Sequence, residues 1–195
     1  MQRRRVSDDE WQYRERSSAE VRGTLLALTL EFVRAARVVR GVTRIAMLGS
    51  LVTDKARPKD SDLLVSVAED VDWAPLARLS RRLQGRAQGI NSTADVFLAA
   101  VGDVYVGRVC RYRECHPRIR CRARHCGRWP HLNDDLDVVA LAPDLLRTPP
   151  LVLHPAIEAT VPLPADVESL LLAPLRFAGM LLESRSRMPA KYPET

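Results

Sequence analysis

Two short apolar segments separated by a polar loop are the feature that most strongly constrains the fold of this chain. The segments Thr43 to Leu48 and Leu63 to Val67 are short, apolar and bounded by turn or polar residues, which predicts buried strands. The loop between them, LGSLVTDKARPKDSD, is polar after its first residues and contains Pro58, so it has room for at most a short helix opening at Ser50. Because loops of this kind usually carry function, we expect functional residues in or beside it.

Helical periodicity and further strands surround this pair. Ser17 and Glu20 have the spacing of a capping box, and apolar residues recur at helical intervals from Val21 to Val39, until Gly41. The other predicted elements are a helix from Trp73 to Gln88 that Asp72 could cap, strands at Ala94 to Ala100 and Val104 to Val109 joined by a Gly-Asp hairpin, strands around Asp137 to Leu141 and at Leu151 to Leu153, and a last helix from Asp166 to about Ser186, bent near Pro174. These elements predict an α/β (α+β) fold with a small mixed, mostly antiparallel sheet and helices packed on it.

The chain divides into four predicted parts. They are a polar N-terminal arm (1–16), a core domain (17–109), a basic insert rich in Cys and His (110–131), and a C-terminal strand, Pro-rich connector and helix packing on the core (132–195). A chain of 195 residues can bury a core without disulfides. The first residues lack the apolar stretch of a secretory signal, and no apolar run reaches the roughly 18 residues of a membrane span. We therefore expect a cytoplasmic protein that does not contact a membrane.

Arginine dominates the basic residues of the chain. The formal net charge is +6, and among the 30 basic residues only Lys55, Lys59 and Lys191 are lysines. Since arginine binds phosphate through two parallel hydrogen bonds, this composition favours an anionic partner. The alternative is that arginine replaces lysine through genomic base composition.

Three aspartates lie where the strand pattern can bring them together. Asp60 and Asp62 are two residues apart at the entry of the second strand, so their side chains point to the same side. Asp95 opens a later strand that could pair beside it. Like charges repel unless a cation lies between them, and Mg²⁺ or Mn²⁺ selects oxygen ligands while keeping positions open for phosphate oxygens. We predict that Asp60, Asp62 and Asp95 are catalytic residues that bind the metal.

The loop before these aspartates provides candidate phosphate contacts. Glycine at position 49 lets backbone amides approach a phosphate, and a helix opening at Ser50 would direct its positive end there. Arg57 and Lys59 are close enough in sequence to contact a triphosphate. The predicted nucleotide-binding residues are therefore Gly49, Ser50, Arg57 and Lys59.

The segment LGSLVTDKARPKDSDLLVSV resembles the signature of the DNA polymerase beta superfamily, especially its minimal nucleotidyltransferases. That signature is an apolar residue, Gly, Gly or Ser, a spacer, and Asp-x-Asp in an apolar strand; Asp95 in TADVFLA matches the third carboxylate of the family. The resemblance covers roughly residues 25–105. It implies metal-dependent transfer of a nucleoside monophosphate from a nucleoside triphosphate to a protein, RNA end or small molecule, with release of pyrophosphate. It also implies Gly49 and Ser50 at the phosphates and the three aspartates at the metals.

Ser61 is a departure from the family pattern, which usually has an apolar residue between the two aspartates. If the familiar form Ser-Asp-x-Asp is aligned with Ser61 and Asp62, Leu64 falls at the second metal position and the domain is inactive. We prefer Asp60 and Asp62 because an apolar run then follows the pair directly. The loop also lacks the glycine that many minimal members carry after Gly-Ser. A second hypothesis is therefore a non-catalytic module of the same fold that binds a nucleotide or a partner, as in an antitoxin-like role.

The cysteines are clustered in the predicted insert. Their spacing, Cys-x₄-Cys-x₅-Cys-x₄-Cys, predicts a structural zinc site of Cys110, Cys115, Cys121 and Cys126, in which His116, His125 or His131 could replace one thiolate. The alternative is four free thiols or a redox pair. Eight arginines and one acidic residue between positions 108 and 128 suit contact with a nucleic-acid backbone. A third hypothesis is therefore a zinc-dependent nucleic-acid binder in which the transferase-like domain is scaffold.

The oligomeric state is left open by the sequence. The predicted last helix is rich in apolar residues, which either close the core or make a dimer, and we expect them to close the core. These residues are Leu170, Leu171, Leu175, Met180 and Leu181.

Overall fold

Six strands form one sheet within residues 17–100, 102, 104–111, 132–133 and 141–178, which the computed structural model describes. The strands are β1 (Val42–Leu48), β2 (Asp60–Val67), β3 (Thr93–Ala100), β4 (Val104–Val109), β5 (Leu132–Asn133) and β6 (Leu151–His154). Their order is β5-β4-β3-β2-β1-β6; β2 and β3 are parallel, and the other neighbours are antiparallel. The predicted α/β (α+β) class with a mixed, mostly antiparallel sheet is confirmed.

Three helices accompany the sheet in the described part of the chain. They are α1 (Ser18–Ala36), α2 (Trp73–Gln88) and α3, which begins as an α-helix at Ala165–Val167, is a π-helix over Glu168–Leu172 and is α-helical again over 173–178. Single 3₁₀ turns lie at Gly49–Val52 and Pro143–Leu146. No helix among these residues is long and apolar enough to cross a membrane.

The start of α1 has the predicted capping box. The Ser17 hydroxyl accepts the Glu20 N–H at 3.2 Å, and the Glu20 carboxylate accepts the Ser17 N–H at 2.8 Å, so two N–H groups without helical partners are satisfied. The helix ends at Ala36, earlier than its apolar pattern indicated. Helix α2 has the predicted bounds, but Asp72, in the N-cap position, makes no capping hydrogen bond through its side chain.

The strands agree with the sequence pattern where they are described. Strand β2 already begins at Asp60, so the Asp-x-Asp lies inside the strand. Strands β3 and β4 form the expected hairpin, with Gly102 at φ +81° in its turn. Of the strand expected around Asp137 to Leu141, only Leu141 is described, and it is not in a strand. Strand β6 pairs with β1 at the edge of the sheet.

The helices pack on one face of the sheet and leave the other face for the aspartates. Side chains alternate along each strand, so Ser61 and Leu63 face the helices, whereas Asp62 and Leu64 face the opposite side. The helix-covered face holds the main core, to which α3 contributes Val167, Leu171, Leu172 and Leu175. The described part of the last helix therefore closes the core, as expected, although Leu170 is exposed. A smaller apolar cluster on the opposite face consists of Leu48, Leu64 and Ala99, with Phe97, Leu141 and Leu145 packed against it.

Arg22 of α1 fixes the loop between β1 and β2 against α3. Its guanidinium pairs with the Asp166 carboxylate through Nε and Nη2, and it also donates to the carbonyl oxygens of Leu51 and Lys55, both at 3.2 Å. The Arg22 side chain is only 8% exposed. Since a buried guanidinium needs acceptors for its N–H groups, these contacts hold three segments in one arrangement.

Candidate active site

Asp60, Asp62 and Asp95 lie on the same face of β2 and β3, at one end of that face. The parallel register pairs Asp62 directly with Asp95, and Asp60 precedes Asp62 by two residues, which puts its side chain on the same side. On the other neighbour of β2, Leu48 pairs with Asp62, so the turn that begins at Gly49 leaves the sheet beside this carboxylate. The strand pairing thus brings together the three aspartates that the sequence singled out.

Ser61 faces away from this site and toward α1. It is fully buried, and its hydroxyl lies 2.8 Å from Thr29 Oγ1, which itself donates to the Leu25 carbonyl at 2.8 Å. The single hydroxyl proton of Thr29 is therefore used, so Ser61 donates to Thr29. A polar residue is tolerated between the two aspartates because the helix packed on the sheet supplies a partner for it.

Gly49 allows the loop after β1 to lie close to the carboxylate of Asp62. Its φ of +71° lies in the region that favours glycine, and a Cβ at this position would lie only 2.8 Å from Asp62 Oδ2. The next residue, Ser50, has a buried Oγ without a hydrogen-bond partner among the described residues. The short helix expected at Ser50 is a single 3₁₀ turn, so the contribution of a helix N-terminus to phosphate binding is not supported.

The electrostatics of the three aspartates centre on Asp62, which is 5% exposed. Burial, and then the neighbouring charges of Asp60 and Asp95, raise the pKa of Asp62 from 3.8 to about 7, while Arg111 acts in the opposite direction. Burial and like charges disfavour the ionised form unless an opposite charge compensates them. A cation beside these carboxylates would therefore relieve the repulsion between them.

Arg111 already neutralises part of this charge. Its Nε donates to Asp95 Oδ1 at 2.9 Å, and its Nη2 donates to Oδ2, which makes a two-pronged ion pair. In the sequence, Arg111 is only one of the eight arginines between positions 108 and 128. Phe97 pairs with Arg108 at the last position of the β3–β4 pairing, so Arg111 lies just beyond the paired part of the hairpin.

Within the described residues, the side chains of Arg57 and Lys59 make no hydrogen bond or ion pair with the three aspartates. Both side chains are exposed, and Arg57 Nε donates to the hydroxyl of Ser18 at the start of α1. The Lys59 carbonyl accepts the Thr93 N–H at 2.9 Å, which joins the entries of β2 and β3. A contact of these two side chains with a triphosphate stays a prediction.

No group of three or more His, Cys, Asp or Glu side chains in the described ranges is arranged to hold a metal ion. For the aspartates this agrees with Arg111, since both oxygens of Asp95 are engaged by its guanidinium. Cys110, directly after β4, is buried. The other residues proposed for zinc lie outside the described part: Cys115, Cys121, Cys126, His116, His125 and His131. Zinc binding and the contact of the insert with nucleic acid therefore stay predictions.

The residues themselves must carry the functional assignment. Comparison of the chain with models of known protein families, with curated proteins and with solved structures found no match in any of the three.

Proposed function

We propose that this chain is a metal-dependent nucleotidyltransferase with a polymerase beta-like fold. It would transfer a nucleoside monophosphate from a nucleoside triphosphate to a hydroxyl acceptor and release pyrophosphate. The observation that carries the proposal is the set of three carboxylates on one face of β2 and β3, with the Gly49 turn against Asp62. The order of elements, with a Gly-Ser turn between β1 and β2 and a helix between two parallel strands, is in agreement with it.

In their chemistry, the three carboxylates fit Mg²⁺ or Mn²⁺. Asp60, Asp62 and Asp95 offer hard oxygen ligands. The pKa of Asp62 is raised by burial first and then by the charges of Asp60 and Asp95, which Arg111 only partly offsets. When bound, the metal would stabilise charge on the triphosphate and activate the acceptor hydroxyl. Asp60 is the most exposed of the three carboxylates, so it faces the solvent from which the substrates arrive.

The loop residues of this chain bind the phosphates in the proposed site. Gly49 leaves the space above Asp62 without a side chain, and the buried hydroxyl of Ser50 can donate to a phosphate oxygen. Arg57 and Lys59 are exposed on the same loop and can reorient toward the triphosphate, Arg57 by leaving Ser18. The contacts of Arg22 with this loop keep its backbone in place.

The packing of Leu64 supports Asp60 and Asp62 as the catalytic pair. Leu64 lies on the same face as the aspartates but packs into the apolar cluster with Leu48 and Ala99. Asp62, by contrast, has a carboxylate on the neighbouring strand and a glycine turn beside it. The alignment that would put Leu64 at a metal is therefore disfavoured.

The first test is a transfer assay. The purified protein is incubated with each α-labelled nucleoside triphosphate, Mg²⁺ or Mn²⁺, and cell lysate as acceptor. We expect label transfer by the wild type and by Asp70→Asn, which removes an exposed carboxylate beyond the other end of β2. Asp60→Asn and Asp62→Asn should abolish transfer while thermal unfolding shows that they are folded. Unchanged transfer by both variants would contradict the proposal.

A non-catalytic nucleotide-binding module is the second candidate, and the Arg111–Asp95 pair favours it. In such a protein the arginine would permanently occupy the third carboxylate. Nucleotide binding that is equal in the wild type and Asp62→Asn, without transfer of any of the labels, would support this candidate over the enzyme.

A further inference from the structure

The ion pair between Arg111 and Asp95 lies inside the proposed metal site. We propose that Arg111 is a positioning residue that stands in for the divalent cation at Asp95 and exchanges partners when substrate binds: the metal takes Asp95, and the triphosphate takes Arg111. This inference rests on the proposed function, because it requires that the aspartates bind a metal.

The geometry favours an exchange of this kind if a metal is to bind Asp95. Nε and Nη2 of Arg111 engage both oxygens of Asp95, whose side chain is 10% exposed and directly paired in register with Asp62. Rotation of this carboxylate toward a cation shared with Asp62 would break part of its two-pronged pair with the guanidinium. A positive guanidinium beside the cluster also opposes the approach of a second cation.

Arg111 is placed to move. Its side chain is 40% exposed, and it lies two residues after Val109, the last residue of β4. Arg22 makes the same kind of pair with Asp166 but is 8% exposed and is also bound to two loop carbonyls. Arg22 is therefore enclosed by the protein, whereas the greater exposure of Arg111 leaves its guanidinium room to turn away from Asp95.

The released guanidinium would be a phosphate ligand at the edge of the site. Arginine matches phosphate oxygens through two parallel N–H groups, as it matches the carboxylate. Because metal and triphosphate would each take one half of the same ion pair, binding of one should favour binding of the other.

The first part of the proposal, that a metal displaces Arg111 from Asp95, is tested by titrating Mn²⁺ into the metal-free full chain. Electron paramagnetic resonance measures the bound Mn²⁺. We expect Arg111→Gln to bind Mn²⁺ roughly tenfold more tightly than the wild type, since the competing cation is gone. Arg86→Gln is the matched control, because Arg86 forms an exposed ion pair with Glu31 between α1 and α2. Its affinity should equal that of the wild type. Arg111→Lys, which keeps the charge but not the two-pronged pair, should be intermediate and replaces Arg111→Gln if that variant does not fold.

Asp62→Asn separates failure of this inference from failure of the proposed function. If Asp62→Asn abolishes Mn²⁺ binding and Arg111→Gln binds no more tightly than the wild type, the metal site stands and the exchange is overturned. If Mn²⁺ binding is absent from the wild type or survives Asp62→Asn, the proposed metal site fails and the exchange fails with it.

The second part of the proposal, that the released Arg111 binds phosphate, is tested by calorimetry with inorganic tripolyphosphate in metal-free buffer. Asp95→Asn and Asp62→Asn remove the same charge, but only Asp95→Asn releases Arg111. We expect Asp95→Asn to bind tripolyphosphate several-fold more tightly than Asp62→Asn, and the gain to disappear in Asp95→Asn combined with Arg111→Gln. Equal affinities of the two single variants would overturn the proposal that Arg111 binds phosphate.

Discussion

Gly49 combines a left-handed backbone conformation with close contact to a carboxylate. Both features exclude a side chain, since φ is +71° and a Cβ would meet Asp62 Oδ2 at 2.8 Å. We expect Gly49→Ala to lower the free energy of unfolding by about 1–3 kcal/mol and to weaken Mn²⁺ binding, because Asp62 must move. Urea unfolding and the Mn²⁺ titration measure the two effects.

Gly85→Ala is the matched control for this prediction. Gly85 lies within α2, and a Cβ there would meet nothing within 4 Å. Alanine should stabilise the protein by about 0.5–1 kcal/mol, because it has the higher helix propensity. A Gly49→Ala variant as stable as the wild type would contradict the role assigned to this turn.

Asp62 is unfavourable for the stability of the metal-free fold. It is buried beside two other carboxylates, and its pKa is raised to about 7. In metal-free buffer at mildly alkaline pH we expect Asp62→Asn to be more stable than the wild type by on the order of 2 kcal/mol. Thermal and urea unfolding measure the difference.

The exposed Asp70 supplies the comparison, since Asp70→Asn should change the stability of the metal-free protein by less than about 0.5 kcal/mol. A destabilised Asp62→Asn would mean that the carboxylate is needed by the fold itself.

The candidate site was predictable only where it follows from local periodicity. Asp60 and Asp62 are two apart on a strand, so their common side follows from the sequence, and Asp95 follows from a strand of the same kind. Arg111 was missed because its contact depends on the register of a hairpin that shifts between Leu98 and Ala99. Such a shift is set by packing across the sheet, which a single sequence does not reveal.

At the scale of elements, the Arg22–Asp166 pair joins α1, α3 and the loop after β1. Removal of the Asp166 charge leaves a nearly buried guanidinium without its carboxylate. We expect Asp166→Asn to lower the free energy of unfolding near neutral pH by about 1–3 kcal/mol. In Glu31→Gln, which breaks an exposed pair with Arg86, the loss should stay within about 0.5 kcal/mol.

The Asp166 prediction has a defined pH dependence. The hydrogen bond from Arg22 lowers the pKa of Asp166 below 3.8, so the folded state favours the ionised carboxylate. The stabilisation is present above that value and is lost as the pH falls through the folded pKa. Burial, and then the charge of Arg37, lower the pKa of His154 from 6.5, which adds acid sensitivity to the wild type and to Asp166→Asn alike. This contribution cancels when the stabilities of the two proteins are subtracted. Urea unfolding from neutral to acid pH should therefore show the two stabilities converging, and a constant difference would contradict the pair.

The elements with strong boundary signals were predicted closely. Strand β4 and helix α2 have the predicted bounds, because turn residues and a clear change of periodicity frame them. The end of α1 was predicted too late, since Val39 continues the apolar spacing although the chain already turns toward Gly41. The two-residue strand β5 has no sequence signal, because its pairing with β4 decides it.

At the scale of the whole molecule, the class of fold was predictable but the order of strands was only partly so. The parallel pairing of β2 and β3 follows from the helix that connects them, since a crossover returns the chain in the same direction. The addition of β6 to the free edge of β1 does not, because a long connection separates the two strands in sequence. The sheet is thus assembled from local units that the pattern reveals and one edge strand that only tertiary packing selects.

The stability of the whole molecule should depend on divalent cations if the aspartates are a metal site. A ligand that binds only the folded state stabilises it by mass action, by about 2.7 kcal/mol at a hundredfold excess over Kd. We expect Mg²⁺ to raise the Tm of the wild type and to raise that of Arg111→Gln further, because the metal no longer displaces a guanidinium there. The rise in Tm on addition of Mg²⁺ should vanish in Asp62→Asn and persist in Asp70→Asn. Both variants lose one negative charge, but only Asp62→Asn loses it within the site. An equal gain in both aspartate variants would mean that the cation binds elsewhere on the protein, and the three carboxylates would then require another explanation.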